Sequence, residues 1–272
     1  MRLQRLWFLI LLLLTRLAYA DSVSLGSAAN FGVLGGTAVS NTGPSTINGD
    51  LGLYPGTSIT NTANITINGV TYPGNTTVPN NAGSATAQAD ALAAYNAAAV
   101  LTATQNLTGD DLGGLTLTPG VYSFSSAAGL ATGDTLTLNF EDLNNAAIVF
   151  QIGSALITGS GSSVIIENPG SNDEVIWQVG SSATLGTTTA FDGNIIADQS
   201  ITLDTGATIG CGSALALNGA VTLDGNTITI GCNGVSESTP PPTSPIPEPG
   251  SMTLLATGLI ALAGLVRRQL HR

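Results

Sequence analysis

The stretch "ATLGTTTAFDGNIIADQSITLDTGATIGCGSALALNGAVTLDGNTITIGC", residues 183–232, decides the fold because it repeats itself. A Thr-Leu pair marks each copy, at 184/185, 202/203 and 222/223, so the period is first 18 and then 20 residues. Each period holds short apolar runs bounded by Gly, Asn or Asp, a pattern typical of strands. One such coil cannot bury its apolar side alone, so the repeat predicts coils that stack into a β-solenoid.

Looser copies extend the pattern along the chain: "TNTANITING" at 60–69, "LATGDTLTL" at 130–138 and "LITGSGSSVII" at 156–166. Aromatic residues make up only 5% of the sequence, and Ala, Val, Ile and Leu fill the runs. Such side chains suit the interior of a narrow tube. We therefore predict one solenoid domain over residues 21–235, with its aromatic residues in the core or at the ends rather than on a sugar-binding surface.

One segment breaks the strand pattern. Residues 84–105, "SATAQADALAAYNAAAVLTATQ", are rich in alanine, the best helix former. Ser84 is placed to cap the amino end, and Leu92, Tyr95 and Ala99 fall on one side at helical spacing. A helix of this length spans ~33 Å, against ~43 Å for roughly nine stacked coils. We expect it to lie along the solenoid and to carry the chain from one end to the other.

The first twenty residues have the three parts of a secretory signal peptide. Arg2 and Arg5 form a basic start, an apolar run follows, and Ala18-Tyr19-Ala20 is a cleavage site. A transmembrane helix is the alternative, but the apolar run is short for one. We predict cleavage after Ala20 and export of the remaining chain.

The C-terminal end also has three parts. Pro247-Glu248-Pro249 precedes the apolar run "MTLLATGLIALAGLV" and the basic end "RRQLHR", and a Pro-rich linker occupies 236–246. This arrangement resembles a PEP-CTERM sorting signal. The resemblance implies that an exosortase-type enzyme removes residues 247–272 and that the protein is secreted into, or held at, the exopolysaccharide layer of a bacterium. A plain membrane anchor is the alternative.

Charge is divided between the ends and the middle of the chain. The basic residues, together with the single histidine, all lie in the terminal segments: Arg2, Arg5, Arg16, Arg267, Arg268, Arg272 and His271. Residues 21–246 contain 16 carboxylates and no basic side chain. Nucleic acids and anionic membranes would repel such a domain, so we predict no nucleic-acid partner.

The same composition argues against an enzyme. The pairs Asp110-Asp111, Glu141-Asp142 and Asp173-Glu174 are the carboxylates that a glycosidase would need. Adjacent strand residues point to opposite faces, so we interpret these pairs as solvated loop charges. A nucleophilic Ser or Cys would lack a histidine. No calcium-loop pattern occurs, and we predict no metal and no cofactor.

Four blocks carry a family resemblance: "NFGVLGGTAVSNTGPSTINGDLGLYPGT" (30–57), "LGGLTLTPGVYSF" (112–124), "VIWQVGSSATLGTTTAF" (175–191) and "ALALNGAVTLDGNTIT" (214–229). In this order they resemble the DUF3494 ice-binding proteins over residues 22–232. The resemblance implies an all-β fold with one long helix. The fold would be a right-handed β-solenoid of triangular cross-section, discontinuous in its stacking, with the helix packed alongside. It also implies that one flat face binds ice.

The family's Thr-Ala/Gly-x-Thr/Asn motif stands here as residues 205–208, with looser matches that begin at Thr187, Thr42 and Thr62. From these matches and the repeat, the candidate ice-binding residues are Thr187, Thr189, Thr205, Thr208, Thr227, Thr229, Thr42, Thr46 and Thr62. Threonine is also common in strands and turns, so an individual threonine can serve the fold alone.

The expected partners are ice with its ordered water, exopolysaccharide and the processing enzyme, and the expected state is a monomer. The alternative function is a structural or adhesive protein of the exopolysaccharide layer without ice activity. The two predictions differ in a simple observation, since an inert matrix protein leaves the growth of ice grains unchanged.

Cys211 and Cys232 are the two cysteines of the chain. Their separation is close to one coil, which would place them on neighbouring rungs within reach of each other. Export permits disulfide formation. We predict a disulfide that clamps the last coils, with two buried thiols as the alternative.

Overall fold

The repeats fold as coils of short strands in this computed structural model, which describes residues 22–74 and 82–231. The predicted signal peptide at 1–20, the linker and sorting segment at 236–272, and Cys232 lie outside the described residues. Two 3-10 helices, Gly26–Asn30 and Thr62–Asn64, and one α-helix, α1 (Ala82–Ala99), accompany the strands. The strands are β1 (Phe31–Gly35), β2 (Ala38–Asn41), β3 (Ser45–Asn48), β4 (Asp50–Leu53), β5 (Ser58–Ile59), β6 (Ile65–Ile67), β7 (Thr71–Tyr72), β8 (Gln105–Asn106), β9 (Thr116–Leu117), β10 (Gly120–Phe124), β11 (Ala128–Leu130), β12 (Thr135–Asn139), β13 (Ala147–Ile152), β14 (Leu156–Thr158), β15 (Ser163–Glu167), β16 (Glu174–Val179), β17 (Ala183–Leu185), β18 (Ala190–Asp192), β19 (Asn194–Ala197), β20 (Ile201–Leu203), β21 (Thr208–Cys211), β22 (Ala214–Ala216), β23 (Val221–Leu223) and β24 (Thr227–Thr229).

Three parallel sheets form the sides of the solenoid. Sheet A has nine strands in the order β7-β4-β1-β22-β19-β16-β13-β10-β8. Sheet B has seven, β11-β14-β17-β20-β23-β2-β5, and sheet C has eight, β6-β3-β24-β21-β18-β15-β12-β9. From β1 to β7 and again from β10 to β24, successive strands of the chain pass from A to B to C and back to A, so the triangular β-solenoid expected from the resemblance is confirmed.

Stacking order differs from chain order. β1, β2 and β3 pair with β22, β23 and β24, so the first coil lies on the last one. The strands at opposite ends of sheet A are β7 and β8, and α1 connects them in sequence. The helix therefore carries the chain from one end of the stack to the other, as the sequence predicted.

Alternation of residues along each strand builds the core. In β20, Ile201 and Leu203 are fully buried inside the tube, whereas Thr202 between them is partly exposed on the outer side. This is the two-residue period of a strand with one face buried. The Thr-Leu pairs of the repeat are thus an outward threonine followed by an inward leucine.

Part of the interior is wide enough for aromatic rings. Tyr122, Phe150 and Trp177 occupy the same position in successive coils of sheet A, with ring centroids 5.7 and 3.7 Å apart. Phe191 approaches Trp177 from sheet C at 5.0 Å. All four are buried, so the expectation that Tyr122, Trp177 and Phe191 are core or cap residues is confirmed.

α1 is shorter than predicted and packs through a different side. It covers Ala82–Ala99 rather than 84–105, and Ser84 lies inside it instead of capping it. Its buried row is Ala87, Ala91, Ala94 and Ala98. The expected side was wrong, since Leu92 is 48% exposed. Alanine has no side chain beyond Cβ, which lets the helix approach sheet A closely.

The helix ends where a glutamine caps it. Gln151 Nε2 donates hydrogen bonds to the carbonyl oxygens of Ala98 and Leu101, both at 2.8 Å. Ala98 lies in the last turn of the helix, where carbonyl groups lack intrahelical partners, and Leu101 lies two residues beyond the helix. Within the described part of the chain, no helix combines the length and apolar character needed to cross a membrane.

Candidate functional site

The outer side of sheet A is covered. α1 and residues 22–30 lie on it, and Val23, Ala28 and the alanine row of the helix form a second core with Phe31 and Leu34. The outer sides of sheets B and C remain as extended strand surfaces. We call them face B and face C.

Face B has a central row of hydroxyl-bearing side chains. Thr202 pairs with Thr184 on one side and with Thr222 on the other, and Thr222 pairs with Ser40. Neighbouring rungs are ~4.8 Å apart. Among the described residues, the three threonine hydroxyls have no hydrogen-bond partner in the protein, so they are open to water.

A second row of smaller side chains runs beside the first, two residues earlier in each coil and, except for Ala38, just before the strand begins. By register it holds Ala38, Ala220, Ser200, Ser182 and Ala155. The described strands of sheet B contain no charged residue, and their register is unbroken from β11 to β5. Face B is therefore an uncharged surface of Thr, Ser and Ala, whose central row continues from Thr184 to Ile157, an isoleucine that is 52% exposed.

Face C has one comparable row. Thr46 pairs with Thr227, and Thr227 pairs with Thr208. The row continues to Thr66 on one side and to Ala190 on the other. Four threonines thus stand on consecutive rungs of this face.

The second row of face C is irregular. The register shifts between Phe191 and Asp192, where β18 meets β21, and Asp192 brings a carboxyl group to this position. Further along, Asn48 Nδ2 donates to Thr229 Oγ1 at 2.9 Å, and Asn68 Nδ2 donates to Asn48 Oδ1 at 2.7 Å. These side chains bond to one another, and the row is neither uniform nor uncharged.

The structure does not bring all the sequence-predicted threonines to one surface. Thr46, Thr208 and Thr227 stand together in the first row of face C, and Thr229 stands in its second row. Thr62 lies in the exposed 3-10 helix that precedes β6.

Three more of the predicted threonines lie at the turns between sheets B and C. Thr187 and Thr205 follow β17 and β20, and Thr42 follows β2. Thr205 Oγ1 donates to the carboxylate of Asp224, and Thr42 Oγ1 donates to the carbonyl oxygen of Leu223 at 3.2 Å. Both hydroxyls thereby stabilise the turn.

The prediction that Thr189 lies on the surface was wrong. It is fully buried, and its Oγ1 lies 3.0 Å from Thr158 Oγ1 and donates to the carbonyl oxygen of Gly159 at 3.1 Å. The preceding residue, Thr188, has a left-handed φ of 57°. That turn directs the next side chain inward, which sequence spacing alone does not reveal.

The prediction missed the threonines of face B. Thr184, Thr202 and Thr222 were visible in the sequence as the Thr-Leu pairs that mark the repeat. A polar residue between two apolar ones in a strand points outward. The Thr-Leu pairs therefore indicate an outward row, whereas the glycine-containing motif at 205–208 lies in the adjoining turn.

One acidic pair is structural, not solvated as predicted. Asp173 is 3% exposed, and its carboxylate accepts hydrogen bonds from the backbone N–H groups of Ala146 and Gly170. Burial raises the pKa of Glu174 to about 7 and that of Asp192 to about 6. Residues 22–74 and 82–231 contain no cluster of three or more His, Cys, Asp or Glu side chains suited to a metal ion.

Two family descriptions match the chain. The Ice-binding-like family matches residues 33–229, which includes all of the coils from β1 to β24 except their first two residues. The PEP-CTERM protein-sorting motif matches residues 245–268.

Relatives match over most of the chain. An ice-binding protein of Nostoc sp. (strain HG1) is 46% identical over 257 residues, which is 94% of this chain and 91% of that protein. An ice-binding protein of Flavobacterium frigoris (strain PS1) is 34% identical over 66% of this chain and 67% of its own length.

Solved structures match the fold. An ice-binding protein from an Antarctic biological consortium is 43% identical, with a TM-score of 0.71 over 76% of this chain and 90% of that one. An ice-binding protein from the ascomycete Antarctomyces psychrotrophicus is 40% identical, with a TM-score of 0.70 over 78% and 99%.

Proposed function

Because the chain belongs to the Ice-binding-like family, we propose that it binds ice and thereby inhibits ice growth and recrystallisation, with face B as the contact surface. The observation that supports face B is its pair of rows, a central one with Thr or Ser on four consecutive rungs and a second one of Ser and Ala, in unbroken register and without charge. The protein acts by adsorption, and no catalytic role is proposed.

The rows order water by their geometry. Each threonine presents a methyl group, which water does not solvate strongly, and a hydroxyl group, which fixes one or two waters. Because the backbone holds these groups at the strand spacing of ~4.8 Å, the bound waters keep a regular pattern that an ice lattice can incorporate. A bridging water is nearly as favourable as a direct hydrogen bond. Each contact is weak, but many fixed together give tight adsorption.

Face C is the second candidate surface for the same function. Its first row contains Thr46, Thr208 and Thr227, which the sequence predicted, and its threonines continue over four rungs. We favour face B because a flat lattice needs two regular rows. On face C the second row is broken by a register shift and by the carboxyl group of Asp192.

We further propose that the protein works outside the cell, as a monomer. The match to the PEP-CTERM motif supports sorting by an exosortase-type enzyme and retention in exopolysaccharide. The 16 carboxylates of residues 21–246, which contain no basic side chain, oppose association between copies. A surface layer that contains such a protein would control ice at the cell boundary.

The test of the proposed function is ice recrystallisation in a frozen sucrose film. We expect micromolar exported protein to hold ice grains at their initial size during annealing, whereas the same protein after heat denaturation lets them grow. Grain growth equal to that in buffer, with circular dichroism confirming a folded sample, would contradict the proposal. That result would favour the inert matrix protein.

The predicted disulfide also remains a proposal, because Cys232 lies outside the described residues. Its support is the position of Cys211, since the neighbouring Gly212 N–H donates to the carbonyl oxygen of Thr229 at 2.9 Å. The chain therefore passes Cys211 three residues before Cys232. We expect mass spectrometry of the unreduced, denatured protein to show no alkylation by iodoacetamide. Two added alkyl groups would show two free thiols instead.

A further inference from the structure

One large apolar side chain stands in the central row of face B. Ile157 is the middle residue of β14, and its neighbours Leu156 and Thr158 are buried, so its own side chain points outward. By register it pairs with Thr184 on one side and with Gly129 on the other. Ile157 is therefore the rung that follows the last threonine of the row.

Among the described residues, the central row has no hydroxyl group beyond Ile157. Gly129 has no side chain, and Asp111 pairs with it in an isolated bridge. A Cβ atom at Gly129 would lie 3.7 Å from Asp111 Oδ2, so a carboxylate group stands beside this rung. A charged group orders water around itself rather than in a lattice. The run of hydroxyl groups thus stops at Ile157 and does not resume beyond it.

The second row of face B does not stop at the same rung. By register, Ala155 follows Ser182, and Ala127 follows Ala155. These side chains are as small as those on the preceding rungs, Ser200 and Ala220. The surface beside Ile157 therefore stays regular, and the change is confined to the central position.

The fold does not require an isoleucine at this position. Thr184 and Thr202 occupy the same place in the next two coils, on strands of the same length and register. Threonine has the β-branched shape that suits a strand, as isoleucine does. Because 52% of the Ile157 side chain is exposed, much of its apolar surface gains nothing from burial.

We propose that Ile157 sets the length of the ice contact on face B, because it interrupts the run of hydroxyl groups. Isoleucine has no donor or acceptor that could hold a water in place. The contact then covers the four rungs from Thr184 to Ser40, which span ~14 Å. A hydroxyl group at residue 157 would extend it to a fifth rung, or ~19 Å. The inference rests on the proposed function of face B.

The experiment is Ile157→Thr, with thermal hysteresis, the gap between the melting and freezing temperatures in the presence of ice, as its measure. At equal protein concentration we expect a rise of about 1.5- to 2-fold, because one more weak contact acts together with the others. Ile157→Val is the first control, since valine has the shape of threonine without its hydroxyl group. We expect no rise in this variant, and a rise equal to that of Ile157→Thr would overturn the role given to the hydroxyl.

Ile165→Thr is the second control, because it makes the same substitution in the same coil on face C. Ile165 lies in β15, is 37% exposed and pairs with Thr137. We expect this variant to have the thermal hysteresis of the unsubstituted protein. No rise in Ile157→Thr, or an equal rise in Ile165→Thr, would overturn the proposal.

The unfolding temperature of each variant shows whether it is folded. If Ile157→Thr does not fold, Ile157→Ser takes its place with the same expected rise, since serine also has a hydroxyl group at the γ position. An unsubstituted protein without thermal hysteresis would contradict ice binding itself, and this inference would be overturned with it. An active unsubstituted protein and an equally active Ile157→Thr would overturn only the limit set by Ile157.

Discussion

Thr202→Tyr is expected to reduce thermal hysteresis by roughly tenfold or more while leaving the unfolding temperature of the protein unchanged. Thr202 stands in the centre of face B, between Thr184 and Thr222, and its side chain points to solvent. A phenol ring at this position projects beyond the plane of its neighbours. Since adsorption depends on many weak contacts made at once, one projecting ring separates the whole face from a flat ice surface.

Thr208→Tyr is the matched control, because it places the same ring in the first row of face C. We expect this variant to retain most of the thermal hysteresis. Loss of activity in Thr208→Tyr but not in Thr202→Tyr would show that face C, and not face B, contacts ice. Loss of activity in both variants would show that both faces take part in ice binding. Full activity in both would show that neither face contacts ice.

Most of the fold could be predicted from the sequence. The Thr-Leu pairs set the coil length, and the alanine-rich segment predicted a helix that joins opposite ends of the stack. Both follow from local patterns, namely the two-residue period of strands and the helix propensity of alanine. The side on which α1 packs could not be predicted from these patterns, because it depends on how closely the helix backbone approaches sheet A. Leu92 is exposed while the smaller Ala91 and Ala94 lie against sheet A.

The proposed contact surface was harder to predict than the fold. A solenoid has three sides, and a row of threonines is equally regular in sequence whether it lies on a face or at a turn. Thr205 and Thr189 both fit the spacing of a repeat, yet one bonds Asp224 at a turn and the other is buried beside Thr158. Turn conformation decides these positions, and one left-handed residue is enough to reverse the direction of the next side chain.

The second large effect is expected from Trp177→Ala, which should lower the free energy of unfolding by about 3–5 kcal/mol. Trp177 is fully buried, its ring stacks on Phe150 with an interplanar angle of 4°, and Phe191 packs on its other side. Its Nε1 also donates to the carbonyl oxygen of Asp192 at 3.2 Å. Alanine would leave a cavity between coils and remove that donor. A fall of roughly 8–15 °C in the unfolding temperature is expected.

Trp177→Phe separates the two contributions, because it keeps a ring in the stack but removes the N–H donor. We expect about 1–3 kcal/mol of destabilisation from the unpaired carbonyl and the smaller ring. Trp177 lies on sheet A, so the thermal hysteresis of either variant, measured well below its unfolding temperature, should equal that of the unsubstituted protein. A fall of less than about 3 °C for Trp177→Ala would mean that neighbouring coils collapse into the space. Loss of hysteresis in a folded variant would instead mean that face B depends on the aromatic stack for its flatness.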